Sequence, residues 1–418
     1  MEQPPWPMWA HIRLQNVRSW PSRPSARAPN ALSTVSTSPT LSSEPEEISY
    51  VLPIRCDGSC GGHPDLGQML GRLHDRSVEV IVADGSPASV LSGPHGSSFA
   101  GFRRVSVGRV APNWNGKVAG VHAGVLAATH ERIVLADDDV LYDMPTLVAV
   151  ATLLDEADLG VPQNFFNGPH QWHALWDTGR MLLNRAFAHD FPSTFALRRS
   201  MFVRMGGYDG DVLFENLELI RTVEAARGRI TWAPDLFVPR SPPTQVTFAR
   251  QRIRQAYDSF AQPTRLAAEL CLAPAIAWGI ARHRRVLTGG ILIAAAAAEV
   301  GRRKRGGKRK FPILASLLAP GWVLERSVCV WWAVGLRLIK GGVRYRDGRL
   351  QRAASSKREL RCRQYESRRA SLDAFRHRAA SYEVSPSTQR DDATSNLDLA
   401  SIFIDEKDRP RTRNGPSR

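Results

Sequence analysis

The stretch Ile133–Asp139, IVLADDD, decides how the rest of the chain is read. Four apolar residues, Ile and Val among them, make a run of the length and texture of a buried parallel strand, and it ends abruptly in three carboxylates. Like charges crowded at a strand end repel one another and destabilise the fold unless a cation or hydrogen bonds compensate them. Hard oxygen ligands suit Mg²⁺ or Mn²⁺, and Asp137-x-Asp139 puts two carboxylates on the same side of an extended backbone. Taken alone, the same residues also make a solvated acidic turn.

Outward from this stretch the texture repeats. Ile48–Ile54 (ISYVLPI) and Val78–Ala83 (VEVIVA) are further short apolar runs, with helical stretches such as Leu66–Leu73 and Gly116–Thr129 between the strands. This alternation predicts an α/β domain with a mainly parallel sheet, whose chemistry gathers beyond the carboxyl ends of its strands. Asp84-Gly85-Ser86 supplies a second carboxylate at such an end. Asn115-Gly116-Lys117 opens a helix, where backbone amides and Lys117 can meet a phosphate or nucleotide. Gly206-Gly207-Tyr208-Asp209 reads as a turn, and Glu215-Asn216-Leu217-Glu218-Leu219 opens the helix after it. Acidic residues there also serve as ordinary partners of the helix dipole. Gln251-Arg252-Ile253-Arg254-Gln255 follows, just ahead of a long apolar region.

The 418 residues carry 56 Lys and Arg against 40 Asp and Glu, a net charge of +16 and a pI of about 10.3. So basic a chain first suggests a nucleic-acid partner. The distribution argues otherwise: residues 1–281 hold 25 basic and 27 acidic side chains, whereas residues 282–310 hold ten basic and one acidic. The cluster Arg302-Arg303-Lys304-Arg305 lacks interleaved aromatics and lies between apolar stretches, which is the pattern of a membrane surface.

Those stretches are Leu266–Ala281, Val286–Val300, Phe311–Leu324 and Ser327–Ile339, each shorter than the roughly 20 residues of a straight span. The first two fit a tight hairpin across the bilayer, or a placement with Arg282–Arg285 and Arg302–Lys310 both at the cytoplasmic surface and Val286–Val300 dipping in; the stretches also fit core helices of a soluble protein. Glu325-Arg326 interrupts what would otherwise span as one helix. The expected organisation is a disordered segment at 1–47, a catalytic domain at 48–262, apolar membrane-associated helices with basic loops at 263–346, and a basic, largely disordered tail at 347–418. No 7–15-residue apolar core lies near Met1, so a secretory signal is not expected. The five scattered cysteines fit a reducing compartment.

In this order the motifs resemble the family 2 glycosyltransferases of the GT-A fold, over about residues 48–346. The resemblance implies that Asp84 and Lys117 bind the nucleotide, and that Asp137 and Asp139 form a DxD motif chelating Mg²⁺ or Mn²⁺ on the donor diphosphate. Ser193–Asp209 looks like the acceptor-side stretch. Gln251 and Arg254 match the Gln-x-x-Arg-Trp motif of membrane-embedded members, with Gln255 in place of the Trp, and Gly342–Arg346 looks like their tail. His122 stands where the family usually has Asn. The family's base is the Asp of a Glu-Asp pair, and that position is Asn216, which cannot accept the proton of an acceptor hydroxyl. Glu215 beside it or Glu218 one helical turn on could take over.

The function implied is a metal-dependent inverting transfer of a sugar from a UDP- or GDP-sugar to a hydroxyl of a lipid, polyprenyl-type or membrane-proximal acceptor, at the cell membrane with the catalytic domain on the cytoplasmic side. The rival readings are an inert membrane-anchored scaffold that has lost its base, and a nucleotidyltransferase on a similar sheet. His122, His170, His173 and His189 have no zinc-site spacing, and Cys56-x-x-x-Cys60 lacks a second pair. Trp172 and Trp176, four apart, suit helical packing better than sugar stacking.

Overall fold

Ile48–Ile54 is buried at every position but one because both faces of its sheet are covered. The computed structural model describes residues 47–366, apart from 59–62, 109, 112, 169–170 and 346–347. The expectations of disorder for residues 1–46 and beyond 366 lie outside the described residues, as do Cys60, His170 and Arg346.

The strands are β1 (Ile48–Ile54), β2 (Glu79–Asp84), β3 (Arg103–Ser106), β4 (Arg132–Ala136), β5 (Leu159–Phe166), β6 (Thr194–Arg198) and β7 (Ile230–Arg240). They form one sheet in the order β3-β2-β1-β4-β6-β5-β7. All neighbours run parallel except β6, which is antiparallel to both β4 and β5. The sheet is therefore mixed and mainly parallel, and the three apolar runs expected as strands are β1, β2 and β4.

Helices α1 (Pro64–His74), α2 (Ala88–Leu91), α3 (Pro94–Ser97), α4 (Gly116–Ala127) and α5 (Met144–Thr152) connect the first strands. They are followed by α6 (Trp172–Phe187), α7 (Arg199–Arg204), α8 (Glu215–Ala225) and α9 (Gln245–Tyr257). On one face of the sheet α1 and α5 enclose a core around Tyr50, Leu70 and Leu147. On the other, α4, α7 and α8 pack around Val51, Val121 and Phe202. Close approach of α4 depends on glycine: a Cβ on Gly124 would lie 2.3 Å from Val51 Cγ1. That contact fixes the height of the helix start, and so of Lys117, above the ends of β1 and β4.

Three longer helices complete the unit: α10 (Pro263–Arg282), α11 (Arg284–Arg303) and α12 (Ile313–Lys340), then the hairpin β8 (Val343–Tyr345) and β9 (Gly348–Leu350). The boundary expected at 262/263 is not a break in packing. Phe166 of β5, Leu182 of α6, Ala298 of α11 and Trp322 of α12 share one core, and the compact unit runs on to Gln364. Nor is the chain loose after residue 347. Arg352 pairs with Asp209 and Asp211, and the Ser355 amide donates to Glu218 Oε2 at 2.6 Å.

Glu325-Arg326 does not interrupt α12, which runs through it as one helix of 28 residues. By length and composition alone α10 and α12 could each cross a membrane. Yet α12 carries Arg326 at its middle, only 2% exposed and lining the cleft described below, so its inner face belongs to the same compact unit as the sheet. The outer faces hold exposed apolar residues, among them Trp278, Ile293, Trp332 and Ile339. Cys271, Cys329 and Cys362 are free, whereas Cys56 is disulfide-bonded, which departs from the reducing setting expected from the sequence.

Gly124→Ala should lower stability by about 1–3 kcal/mol, since Val51 is β-branched and has little freedom to yield. Urea denaturation followed by circular dichroism measures it; an unchanged midpoint would mean that α4 can lift off the sheet.

Candidate active site

The carboxyl ends of β1, β2 and β4 open into a cleft of about 390 Å³, closed on its other side by α8, α9 and α12. At its centre is Lys117. Asn115 caps α4, its side chain accepting from the Lys117 amide at 3.0 Å, which orients the first helical turn. The Lys117 ammonium then reaches three groups: Asp137 Oδ1 at 2.7 Å, Glu215 Oε1 at 3.1 Å and Asn216 Oδ1 at 3.2 Å. Burial alone would depress the ammonium, but the adjacent Asp137 and Glu215 carboxylates outweigh it and push it up. Burial likewise pushes the Glu215 carboxyl up, and Lys117 with Arg254 overcomes this, leaving it below the usual range. At Asp137 burial wins: its carboxyl is raised, with Asp139 adding to the burial effect and Lys117 opposing it.

Asp139 pairs with Arg240 of β7 through Oδ2, while its buried Oδ1 has no hydrogen-bond partner. Among the described residues no group of three or more His, Cys, Asp or Glu side chains is arranged to hold a metal. Gln251 and Arg254 line the cleft from α9, and the Arg254 guanidinium lies 5.1 Å from the centre of the Tyr345 ring. Tyr345 Oη donates to Asn115 Oδ1 at 2.8 Å, which ties the segment after α12 to the start of α4.

Three expected site residues do not line the cleft: Asp139, paired with Arg240, and also Asp84 and Glu218. Asp84 is 3% exposed, with Oδ2 3.0 Å from His95 Nε2 and Oδ1 accepting from the Ser86 amide; its neighbour Gly85 lines the cleft instead. Glu218 is fully buried and faces the Ser355 amide, and burial raises its carboxyl. Because α8 turns about 100° per residue, positions 215 and 218 need not face the same solvent even one turn apart. His122 is structural: its Nε2 lies 2.9 Å from Tyr208 O, against the left-handed turn at Gly206 and Gly207. Trp176 packs on Gly321 and donates to Glu325, and Trp172 is exposed.

Sequence reading missed four participants. Asp258, Arg265, Arg326 and Arg180 all line the cleft, and each lies in a helix whose pattern reads as packing or solvent-facing charge. Burial pushes the Asp258 carboxyl up to about 7, against the pull of Arg254, and its Oδ1 has no hydrogen-bond partner. Seven cationic side chains line the cleft against four carboxylates, so its balance favours an anionic ligand.

No family model matches the chain, and neither does any curated protein. Solved structures do resemble it. Glucosyl-3-phosphoglycerate synthase from Mycobacterium tuberculosis, in complex with Mn²⁺, UDP and glucosyl-3-phosphoglycerate, is 19% identical over 50% of this chain and 77% of its own, with a TM-score of 0.34. A mannosyltransferase from Pyrobaculum calidifontis, in complex with GDP-Man and Mn²⁺, is 16% identical over 68% and 87%, with a TM-score of 0.38. Mannosyl-3-phosphoglycerate synthase from Rubrobacter xylanophilus is 14% identical over 50% and 70%, at 0.34. Likenesses this remote carry no weight for function, which rests on the chain's own residues.

Lys117→Met leaves two adjacent carboxylates without their shared cation, and should cost on the order of 3 kcal/mol of stability. In the double variant with Glu215→Gln part of that loss should return. Chemical denaturation of the two variants checks the coupling, and additive losses would contradict it.

Proposed function

We propose that the chain is a membrane-associated, metal-dependent glycosyltransferase of GT-A type, moving a sugar from a nucleotide-diphosphate donor to a hydroxyl of a lipid-like or membrane-proximal acceptor. The observation that carries this reading is the Lys117 ammonium held between Asp137 and Glu215 at the strand ends of a net cationic cleft. Lys117, Gln251 and Arg254 are placed to meet a diphosphate, and the Asp84-Gly85 turn borders the nucleotide through Gly85.

A Mg²⁺ or Mn²⁺ ion fits the donor set, because Asp139 Oδ1 is buried without a hydrogen-bond partner and carboxylate oxygen is the ligand such ions prefer. Asp139 and Asp137 would hold the ion, which when bound offsets the charge on the departing nucleoside diphosphate. Arg240 pairs with Asp139 through Oδ2, which leaves Oδ1 as the unpartnered oxygen.

Transfer with inversion needs a group that takes the proton from the acceptor hydroxyl. Glu215 stands beside Asn216 and lines the cleft, but Lys117 and Arg254 keep it a weak proton acceptor. A specific observation favours Asp258: a free Oδ1 and a pKa near the working pH, the condition for efficient general-base catalysis. The exposed apolar faces of α10, α11 and α12, beside Arg282, Arg284 and Arg285, support seating the cleft at a lipid surface.

Two measurements test this. Nucleotide release from UDP- and GDP-sugars should require Mn²⁺ or Mg²⁺ and fall at least about 100-fold in Asp139→Ala. Donor binding without any release would favour the inert scaffold suggested by Asn216, and pyrophosphate release from a nucleoside triphosphate would point to nucleotidyl transfer.

If Asp258 is the base, it must be deprotonated to act, so turnover is low below pH about 7 and rises to a plateau above it. Asp258→Asn should abolish that limb. A profile flat from pH 5.5 to 8, with Glu215→Gln the more damaging change, would assign the base to Glu215.

A further inference from the structure

Arg326 is the buried cation the mechanism above does not use. It sits at the middle of α12, 2% exposed, and lines the cleft. Its Nε and Nη1 are buried without a hydrogen-bond partner, and its guanidinium carbon lies 4.9 Å from the centre of the Trp322 ring, which supports one flat face. The carboxylates that could neutralise it are engaged elsewhere. Glu269 accepts from Arg265 Nε at 2.8 Å and from Ser259 Oγ at 2.7 Å. Asp177 and Asp190 hold Arg180, at 3.0 and 2.9 Å. Asp258 is partly protonated near neutral pH.

Leaving a guanidinium buried with unpaired donors is costly, and here Arg180 and Arg265, each already paired with carboxylates, line the same cleft near enough to repel it. Such an arrangement persists when a ligand from outside completes it. Planar guanidinium donors match the oxygens of a phosphate in pairs, which an ammonium does not.

We propose that Arg326, with Arg265 and Arg180, forms a subsite for a phosphate group, separate from the Lys117–Asp137 end of the cleft, and that the acceptor substrate is a phosphate-bearing molecule. The elements are different: α6, α10 and α12 build this subsite, whereas α4, β4 and α8 build the other. Assigning the phosphate to the acceptor rests on the glycosyl-transfer reading; the subsite itself does not. Phosphate held there leaves the remainder of the acceptor facing Asp258, which lines the same cleft and has a free oxygen.

The test is calorimetric titration of inorganic phosphate into the full chain saturated with UDP and Mn²⁺, for wild type, Arg326→Met and Arg326→Lys. Arg326→Met should weaken phosphate binding about tenfold or more, with Arg326→Lys between it and wild type and UDP affinity unchanged within about twofold. Equal phosphate affinity in wild type and Arg326→Met, with thermal melts matched, would overturn the subsite. Should Arg326→Met not fold, Arg326→Lys against Arg265→Lys makes the same comparison. Competition by glycerol 3-phosphate identifies a soluble acceptor, and competition by phosphatidylcholine vesicles only when they contain phosphatidic acid identifies a lipid one. A protein that binds phosphate through Arg326 but never UDP would keep the subsite and lose the glycosyl-transfer reading.

Discussion

The ammonium of Lys117 is the constraint around which the compact unit closes. It joins the end of β4 through Asp137 to the start of α8 through Glu215 and Asn216, and so connects parts of the chain roughly a hundred residues apart. Its position follows from backbone, since Asn115 caps the helix that carries it and Gly124 lets that helix sit tightly on β1. Partly buried charges in this arrangement stabilise only as a set, because removing any one leaves another without compensation. The same cation also keeps Asp137 and Glu215 from repelling each other before a ligand arrives. Stability and ligand recognition are therefore drawn from the same few contacts.

The long C-terminal helices belong to this set rather than being an appended anchor. Their inner faces complete the core around Phe166 and Leu182 and deliver Arg326 to the cleft, while the segment after them returns Tyr345 to Asn115 and Ser355 to Glu218. The middle of α12 turns a buried guanidinium towards the cleft, and such a group is unfavourable on a face that meets hydrocarbon. The exposed apolar residues are thus the outer side of a layer that lines the cleft on its inner side. The basic surplus that makes the pI about 10.3 lies on and beyond these helices, where it can meet anionic headgroups.

What could be read from sequence was what local pattern determines. β1, β2 and β4 are continuous apolar runs, and Lys117 and Asp137 sit at the first positions after a loop or strand, so their neighbourhood follows from the rule for parallel sheets. The antiparallel β6, Thr194–Arg198, carries no such signal, because TFALR is short and partly polar. Asp84 was misplaced for a different reason: its position at a strand end was right, but His95 in a short distant helix takes up its carboxylate. Asp258, Arg265 and Arg326 were illegible because their meaning depends on where three helices meet. In sequence, Glu325-Arg326 reads as a break in an apolar stretch; in three dimensions Arg326 lines the cleft while Glu325 meets Trp176 and Arg252.

Asn216 can be understood on electrostatic grounds. Asp137 and Glu215 already place two negative charges on one ammonium, and burial raises the Asp137 carboxyl, with Asp139 and Glu215 adding to it. A third carboxylate at position 216 would lie within hydrogen-bond reach of the same Lys117 and deepen the imbalance. Asn216 avoids it: its carbonyl oxygen still accepts from Lys117 at 3.2 Å, and its amide donates to Pro192 O at 2.9 Å, which an aspartate could not do. The residue thus keeps the geometry of the cluster while removing a charge from it. In the proposed transfer the corollary concerns the proton acceptor, which would then be a carboxylate that Lys117 does not hold down. Of the carboxylates lining the cleft, Asp258 has a free oxygen and no contact with that ammonium, so the neutral residue at 216 and the unpartnered one at 258 are two parts of one arrangement.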